Sequence, residues 1–304
     1  QDPLVLRHGE AEPRDHTSRH QGIRTAFERH PEGIGETIAT MCGRMTLTRS
    51  GSEIASYFVE AMGAGLAPEG ANVGSDDGAG SEVRAIDGGP LRPRYNLCPS
   101  QDVLTITAPP EGSALGGCYA WRRWGLVPGW AKDPTIGARM FNARSETAAE
   151  KPSFRSAWKR RRCLVVADGF YEWTPRTRDH RPFHFHASSD RLLAMAGLYE
   201  HWQGERGEVI DSCTVLTTDA NSDLDSVHHR MPVILRAEDY AAWLSLETAP
   251  EALASLAVAP PPGSLTGVPV KRFVNDPRHE GPECLAPVEV AEQEGLFALE
   301  GGEA

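Results

Sequence analysis

The sequence of 304 residues lacks several features that would assign it to a large class of proteins. It has no apolar run of the roughly 18–20 residues that a membrane helix needs. Residues 1–40 contain no apolar core segment, so they do not form a secretory signal. No glycine-rich phosphate-binding loop of the P-loop or dinucleotide type is present. The six cysteines form no CxxC pair, which favours reduced cysteines in a cytoplasmic protein.

The chain also lacks an overall positive charge, since its formal net charge is −11. The charge is unevenly distributed. Residues 121–162 contain eleven Lys or Arg and three acids, whereas residues 283–304 contain six Glu and no base. A basic stripe on an acidic protein is compatible with nucleic-acid binding, because the local field matters more than the net charge. A solvated helix face around residues 159–162 is an equally good interpretation.

Short apolar segments predict many strands and few helices. The predicted strands are 42–49, 103–108, 119–124, 162–166, 183–187, 192–199 and 213–218. The predicted helices are 52–64, 147–158 and 238–243. This pattern favours an α+β fold, a single domain built around a mixed or antiparallel, barrel-like sheet with a few flanking helices.

The polar segments divide the chain into three parts. We interpret residues 1–40 as a disordered leader or a misassigned start, and residues 288–304 as an acidic tail. The domain then covers residues 41–287 and includes a flexible insertion, rich in Gly, Ala and Asp, at about 63–90.

Cys42 would have unusual chemistry if Met41 were the true start and were then removed. An N-terminal cysteine carries an amine with a reference pKa near 8 and a thiol near 8.5. The amine can form an imine with an aldehyde, and the thiolate can then close a thiazolidine ring. Behind 41 residues, Cys42 has no free amine and this chemistry is blocked.

A series of short motifs follows this cysteine along the chain. They are Met41–Arg44 (MCGR), Tyr95-Asn96 ahead of Pro99, Trp124–Pro128 (WGLVP), Asn142–Thr147 (NARSET), Arg162–Leu164 (RCL), Gly169–Trp173 (GFYEW) and His228–Pro232 (HHRMP). In this order and spacing the chain resembles the SOS response-associated peptidase family of abasic-site processing proteins, over about residues 41–287.

The resemblance implies that four residues act in catalysis: Cys42, Asn142, Glu172 and His228. The Cys42 amine would attack C1′ of a ring-opened abasic sugar, and the thiol would close a stable covalent DNA–protein crosslink. Glu172 would shuttle protons, also during removal of the leading Met, and His228 would transfer a proton or stabilise charge. Asn142 would orient the amine and the sugar oxygens. The structural alternatives are a surface Glu on a strand edge, a His at a turn and an Asn in a turn.

Other motif residues are candidates for contact with single-stranded DNA: Gly43, Arg44, Trp124, Pro128, Arg144 and Arg230. Guanidinium groups bind phosphates in fork geometry, and aromatic rings stack on bases. Core packing is an equally good interpretation of each tryptophan taken alone.

The resulting hypothesis is a DNA-repair enzyme of the SOS and DNA damage response, an autoprocessing peptidase that covalently captures abasic sites in single-stranded DNA. We expect a monomer in the cytoplasm, associated with the nucleoid, without a membrane partner or cofactor. His184 and His186 would share a strand face, but no carboxylate or cysteine supports a metal site. The alternatives are an N-terminal-nucleophile cysteine amidase and a non-catalytic single-strand-binding module.

Overall fold

The computed structural model describes residues 43–68, 92–114, 116–189 and 191–288. All of these belong to one compact unit of the chain, Thr40–Ala304. The predicted leader, most of the predicted insertion, the predicted acidic tail and Cys42 lie outside the described residues.

The described residues form fourteen strands and five α-helices. The strands are β1 Arg44–Leu47, β2 Leu66–Pro68, β3 Arg94–Leu97, β4 Asp102–Thr107, β5 Gly117–Trp124, β6 Asn142–Arg144, β7 Arg162–Ala167, β8 Gly169–Trp173, β9 Pro182–Ala187, β10 Leu193–Gln203, β11 Val209–Asp219, β12 Arg230–Pro232, β13 Ile234–Leu235 and β14 Leu265–Pro269. The helices are α1 Gly51–Met62, α2 Ser145–Ala148, α3 Arg155–Arg160, α4 Tyr240–Leu244 and α5 Pro250–Leu256. Short 3₁₀ helices lie at Pro134–Arg139, Arg176–Arg178, Ala237–Asp239, Arg272–Asn275 and Pro282–Leu285.

Five strands close into a mixed barrel in the order β11-β10-β7-β4-β5. Neighbours along this path are antiparallel, and β5 returns to β11 through a parallel pairing, Cys213 opposite Trp124. Every residue of β7 is buried, as a near-continuous apolar strand between two covered faces should be. The predicted α+β fold with a barrel-like sheet is confirmed.

A second sheet has the order β14-β9-β8-β1-β3 and is antiparallel throughout. One face of β8 carries Phe170, which stacks on Phe185 of β9 in the main core. The opposite face carries Tyr171, which packs with Val270, Val274 and Cys284 in a separate apolar cluster. The segment after β14 therefore covers the outer face of this sheet.

Helix α1 has the boundary signals that its sequence predicts. The Ser50 side chain accepts from the backbone of Glu53 while the Glu53 side chain accepts from the backbone of Ser50, a capping box. Gly63 ends the helix in the left-handed region at φ 70°, which glycine adopts without a Cβ clash. The buried residues Ile54, Ala55 and Phe58 form the apolar face.

The predicted helix 147–158 is wrong as a single element. The structure has α2 and α3, with residues 149–154 between them. Pro152 explains the break, because proline disfavours the helical region for the residue before it and removes a backbone donor. The predicted insertion also begins too early, since residues 66–68 form β2 and pair with β5.

Within the described part of the chain, α1 is the longest α-helix, at 12 residues. None of the described helices is long and apolar enough to cross a membrane.

Candidate active site

The start of β1 lies beside Glu172. Arg44 pairs with Tyr171 and Met45 with Phe170 in an antiparallel register. Extending this register by one residue places Gly43 opposite Glu172, on the inward side that Met45 and Phe170 share. The residue that directly follows Cys42 thus precedes a strand whose pairing leads toward a carboxylate.

Glu172 is a buried carboxylate in the middle of a sheet. Its relative exposure is 1%, and its strand β8 lies between β1 and β9. The alternative of a surface Glu on a strand edge is therefore wrong. Because alternate residues of a strand share a face, Glu172 follows Phe170 toward the interior, while Tyr171 and Trp173 point outward.

Asn142 is positioned by its neighbours on β6. The strand pairs with β11, where Asn142 is opposite Val215. The carbonyl of Phe141 accepts from the backbone N–H of Val215 at 3.0 Å and from the indole N–H of Trp124 at 2.8 Å. The Phe141 ring also lies 3.9 Å from where a Cβ on Gly43 would be. The start of β1 is thus close to the start of β6.

The predicted DNA contact of Trp124 is corrected by this arrangement. Trp124 is fully buried and packs edge-on against Phe141, with ring centroids 6.0 Å apart. It supports the Phe141–Asn142 backbone from the core and offers no face to a base. Pro128 is buried as well.

His228 is half-buried and lies two residues before β12. Its Nδ1 lies 3.1 Å from both the backbone N–H and the carbonyl oxygen of Arg230, so the Arg230 main chain orients the ring. The ring lies 4.5 Å from that of His229, which is exposed. Burial lowers the pKa of His228, and His229 and Arg230 act in the same direction, against the backbone hydrogen bond with Arg230. The imidazole is therefore neutral at neutral pH and able to take up or give a proton.

Arg230 is a buried guanidinium with acceptors around it. Nη1 donates to Glu146 Oε1 and to Asp219 Oδ1, both at 2.6 Å, and Nη2 donates to Glu146 Oε2 at 2.9 Å and to the Thr217 carbonyl at 2.7 Å. These hydrogen bonds raise the pKa of Arg230 against the opposing effect of burial. The predicted phosphate contact is corrected in this respect: the guanidinium faces protein acceptors.

Arg44 is also held by protein acceptors. Its Nη1 donates to Asn96 Oδ1 at 2.9 Å and to the Val274 carbonyl at 2.7 Å. Its guanidinium lies 5.7 Å from the ring centroid of Trp173. Arg44 thus ties the start of β1 to the segment that covers the outer face of the sheet.

Arg144 is the exposed member of the three predicted arginines. It is opposite Thr217 in the β6–β11 pairing, and Thr217 is also opposite Pro232 of β12. A continuous ladder therefore connects Arg144 to the strand that follows His228.

The basic stretch 121–162 does not form one solvated stripe. Arg122 and Arg162 are 2% and 3% exposed. Arg122 lies over the Tyr199 ring at 4.3 Å, and Arg162 donates to the carbonyls of Trp243 and Trp158, both at 2.6 Å. Burial lowers the pKa of Arg162. Some of the positive charge therefore has a structural role in joining the barrel to α3 and α4.

Sequence reasoning missed the partners of these arginines. Glu146 stands inside the NARSET motif and could have been found there, since it is an acid two residues after a candidate arginine. Asn96 also stands in a motif, Tyr95-Asn96, but that motif does not reveal that Arg44 reaches it. Asp219 carries no comparable signal, because its importance depends on which arginine reaches it. Asn96 is 1% exposed and donates to the carbonyls of Asp276 and His279 at 3.0 and 2.9 Å.

His184 and His186 share one face of β9, with ring centroids 5.9 Å apart. Within the described ranges no group of three or more potential metal-binding side chains is present. Instead His184 Nε2 lies 3.2 Å from the Thr46 hydroxyl, which donates to Asp168. Thr48 donates its hydroxyl to the same carboxylate at 2.7 Å. The His184 ring occupies the space that a side chain at Gly169 would need.

This geometry defines a class of protein, an α+β barrel domain. In it the start of β1 lies between the buried Glu172 and β6, the strand that carries Asn142. The model of the SOS response associated peptidase (SRAP) family matches residues 41–277, and the chain belongs to that family.

Known relatives agree with this assignment. The abasic site processing protein YoqW of Bacillus subtilis is 41% identical over 201 residues, which cover 65% of this chain and 87% of YoqW. The abasic site processing protein HMCES of Gallus gallus is 35% identical over 192 residues, covering 55% of this chain and 57% of HMCES. A solved structure from Bacteroides thetaiotaomicron shares the fold, with a TM-score of 0.65, 23% identity, and coverage of 82% of this chain and 100% of that one.

Proposed function

We propose that the protein recognises abasic sites in single-stranded DNA and captures them covalently through Cys42, once the preceding residues have been removed. The observation that carries this proposal is the register of β1 on β8. Extended by one residue, this register sets Gly43 opposite the buried Glu172, and the Phe141 ring lies close to Gly43. The names of the relatives YoqW and HMCES support abasic DNA as the substrate class.

The proposed reaction has two steps. The α-amine of Cys42 adds to the C1′ aldehyde of the ring-opened sugar and loses water to give an imine. The thiolate sulfur then adds to the same carbon, the imine nitrogen takes up a proton, and a thiazolidine closes without loss of a further group. Two linked bonds to one carbon make the product more stable than the imine alone.

Glu172 acts as the acid–base group in this scheme. It takes a proton from the attacking amine and returns one to the departing hydroxyl of C1′, which becomes the released water. His228, neutral and half-buried, exchanges protons at the sugar, and Asn142 orients the amine through its amide.

The chemistry requires a free amine on Cys42, so residues 1–41 must be removed first. We propose that the protein removes at least Met41 itself, in keeping with the peptidase in the family's description. The Cys42 sulfur adds to the Met41 carbonyl carbon, the Met41–Cys42 amide bond breaks as its nitrogen takes up a proton, and water hydrolyses the resulting thioester to release the Met41 carboxylate. Exposed Arg144, on the strand that carries Asn142, supplies a cation for the DNA backbone.

The proposal is tested by the intact mass of a version that begins at Met41, with and without a single-stranded oligonucleotide that carries one abasic site. We expect a protein mass without Met and an added DNA mass that survives denaturation. Cys42→Ala should keep Met and form no adduct. Cys42→Ser, tested after enzymatic removal of Met, should give an adduct only when borohydride traps the imine.

The full chain from Gln1 is the matched control, because it has the same thiol without a free amine. If it keeps its leader it should form no adduct. An adduct on a chain whose mass still includes the leader would show that the N-terminal aminothiol is not the capturing group. Release of Met without any adduct would favour an amidase, and salt-sensitive binding indifferent to Cys42→Ala would favour a simple binding module.

A further inference from the structure

The side chain of Arg230 lies across β11 and meets the side chain of Glu146, a residue just beyond the end of β6. β6 and β12 both pair with β11 and meet at Thr217, which is opposite Arg144 on one side and Pro232 on the other. Adjacent strands lie about 4.8 Å apart, so β6 and β12 are separated by about 10 Å. Arg230 begins on β12, donates to the Thr217 carbonyl of β11, and reaches Glu146 just beyond the end of β6.

The contact between Arg230 and Glu146, called the brace below, joins two segments that carry candidate catalytic residues. Asn142 is the first residue of β6, and Glu146 lies at the start of α2, which follows β6 directly. His228 is two residues before Arg230, and its ring is held by the Arg230 main chain at 3.1 Å. The Arg230 side chain is thus bound to the acid that follows β6, while its main chain holds the ring of His228.

We propose that Glu146 is a positioning residue, which acts through Arg230 to fix the His228 ring relative to the strand of Asn142. It does not touch the substrate. Its effect on the His228 ring is a property of the free protein, while its effect on the reaction rests on the function proposed above.

Glu146 is better suited to this role than Asp219, the other acid on the same guanidinium. Glu146 binds Arg230 through both oxygens, at 2.6 and 2.9 Å, and its side chain is 45% exposed. Asp219 contributes one oxygen at 2.6 Å and is 87% exposed. Two-point carboxylate–guanidinium pairs fix orientation as well as distance. A single contact to a largely solvated carboxylate constrains orientation less.

The third nitrogen of the Arg230 guanidinium, Nε, does not help to hold the group in place. Nε is buried and, among the described residues, has no hydrogen-bond partner. The group is therefore oriented by its two terminal nitrogens alone, and Glu146 accepts from both of them. Loss of Glu146 leaves Nη1 with Asp219 and Nη2 with the Thr217 carbonyl, and it removes the one side chain that accepts from both nitrogens.

The direct test is the protonation pattern of the His228 imidazole in the full chain, read by ¹H–¹⁵N correlation across the ring. The Glu146→Gln variant is compared with Asp219→Asn and with Glu150→Gln. Glu150 is an exposed acid just after α2, so its variant makes the same charge change away from Arg230. The His228 signals are identified by their loss in His228→Gln.

We expect one tautomer with a single set of signals for His228 in the unsubstituted chain and in both controls. Glu146→Gln should give a changed tautomer population or broadened signals, while thermal melting confirms that the variant folds. Glu146→Asp keeps the charge but shortens the side chain. Its His228 spectrum should therefore be intermediate between those of the unsubstituted chain and Glu146→Gln. A His228 spectrum unchanged by Glu146→Gln would overturn the proposal.

The second arm measures DNA capture in the version that begins at Met41, which retains the whole family-matched segment. At saturating DNA, Glu146→Gln should slow adduct formation by about tenfold to a hundredfold, the scale of a displacement of about 1 Å in a reacting group. Noncovalent affinity should stay within about twofold, as for a side chain that makes no substrate contact. Faster capture with tighter DNA binding would contradict the proposal, because Glu146 would then be masking a phosphate-binding Arg230.

The two arms separate this proposal from the function on which it partly rests. If the unsubstituted protein forms no adduct, the proposed function fails. The imidazole spectrum of the free chain still decides whether Glu146 positions His228.

Discussion

The two halves of the candidate site are held in place by different forces. The half that carries Glu172 is built on β1, β8 and β9, where backbone pairing and a stacked Phe170–Phe185 pair fix each position. The half that carries His228 is built on short strands, and its fixed point is the charged network around Arg230. Backbone ladders and apolar burial respond weakly to salt and pH, whereas a charged network at the surface responds to both.

Because the two halves are held differently, substitutions in each half should affect function in different ways. A buried carboxylate inside a rigid sheet can lose its function without loss of fold when it is replaced by its amide. A half-buried histidine at the end of a charged brace depends on groups that never touch the substrate. Variants on the two sides should therefore fail in different ways.

The largest effect is expected at Glu172. In the version that begins at Met41, Glu172→Gln removes the acid–base group and should slow covalent capture by about 100-fold or more, the range of general acid–base catalysis. Tyr171→Phe is the matched control on the same strand, since it removes the hydroxyl that donates to the Tyr95 carbonyl at 2.8 Å on the opposite face. It should lower the melting temperature and leave the capture rate unchanged. Equal loss of rate in both variants would show that only the integrity of β8 matters.

The first half should nevertheless contain one strong pH dependence, at His184. Burial lowers the pKa of His184 to about 4, from 6.5 for an exposed histidine. Between these values the unfolded chain binds a proton that the folded chain does not. The free energy of unfolding should therefore be complete above pH 6.5 and fall as the pH decreases toward 4, by about 3 kcal/mol in total. Urea unfolding at several pH values measures this, and His184→Gln should lose most of the dependence.

A moderate effect on stability is expected at Arg230. Arg230→Met leaves the Thr217 carbonyl without its donor and two acids without their shared cation. We expect a loss of about 2 kcal/mol in the free energy of unfolding. Arg144→Met, an exposed arginine on the neighbouring strand, should change it by no more than about 0.5 kcal/mol. Equal losses of stability in Arg230→Met and Arg144→Met would show that Arg230 contributes no more to the fold than an exposed arginine.

The smallest effect should come from titration of Glu146. The hydrogen bond from Arg230 lowers the pKa of Glu146 from its usual 4.5. Its contribution to stability is therefore present above pH 4.5 and is lost as the pH falls through the lowered pKa. The stability difference between the unsubstituted chain and Glu146→Gln should shrink under acid. It should stay under about 1 kcal/mol, since nearly half of the side chain is exposed. A difference that grows as the pH falls would contradict the assigned pairing.

The sequence alone predicted the fold class and most of the barrel strands, because each strand has its own local apolar pattern. β4 and β7 of the barrel, and β9 of the second sheet, begin and end within one residue of the segments expected from their residues. The order of the strands and the closure of β5 on β11 were not predictable, since they depend on long-range pairing. The short strands β6 and β12 have too few residues for any periodicity to appear.

The candidate site was predictable by residue type and much less by role. Glu172, Asn142 and His228 were singled out by motif, and the structure adds a buried carboxylate, a supported strand and an oriented ring. Arg44, Arg230 and Trp124 were assigned to DNA by their chemistry, but each has a structural partner far away in sequence. A guanidinium that binds a phosphate and one that binds a distant glutamate cannot be told apart from local residues.

The proposed bond between Cys42 and an abasic site can be observed directly. The most direct measurement is the ¹³C spectrum of the adduct made with DNA labelled at C1′, using the version that begins at Met41. We expect a tetrahedral carbon bonded to both nitrogen and sulfur, with a ¹⁵N coupling when Cys42 is also labelled. A trigonal imine carbon in the stable adduct, or a labelled carbon bonded to sulfur without nitrogen, would contradict it.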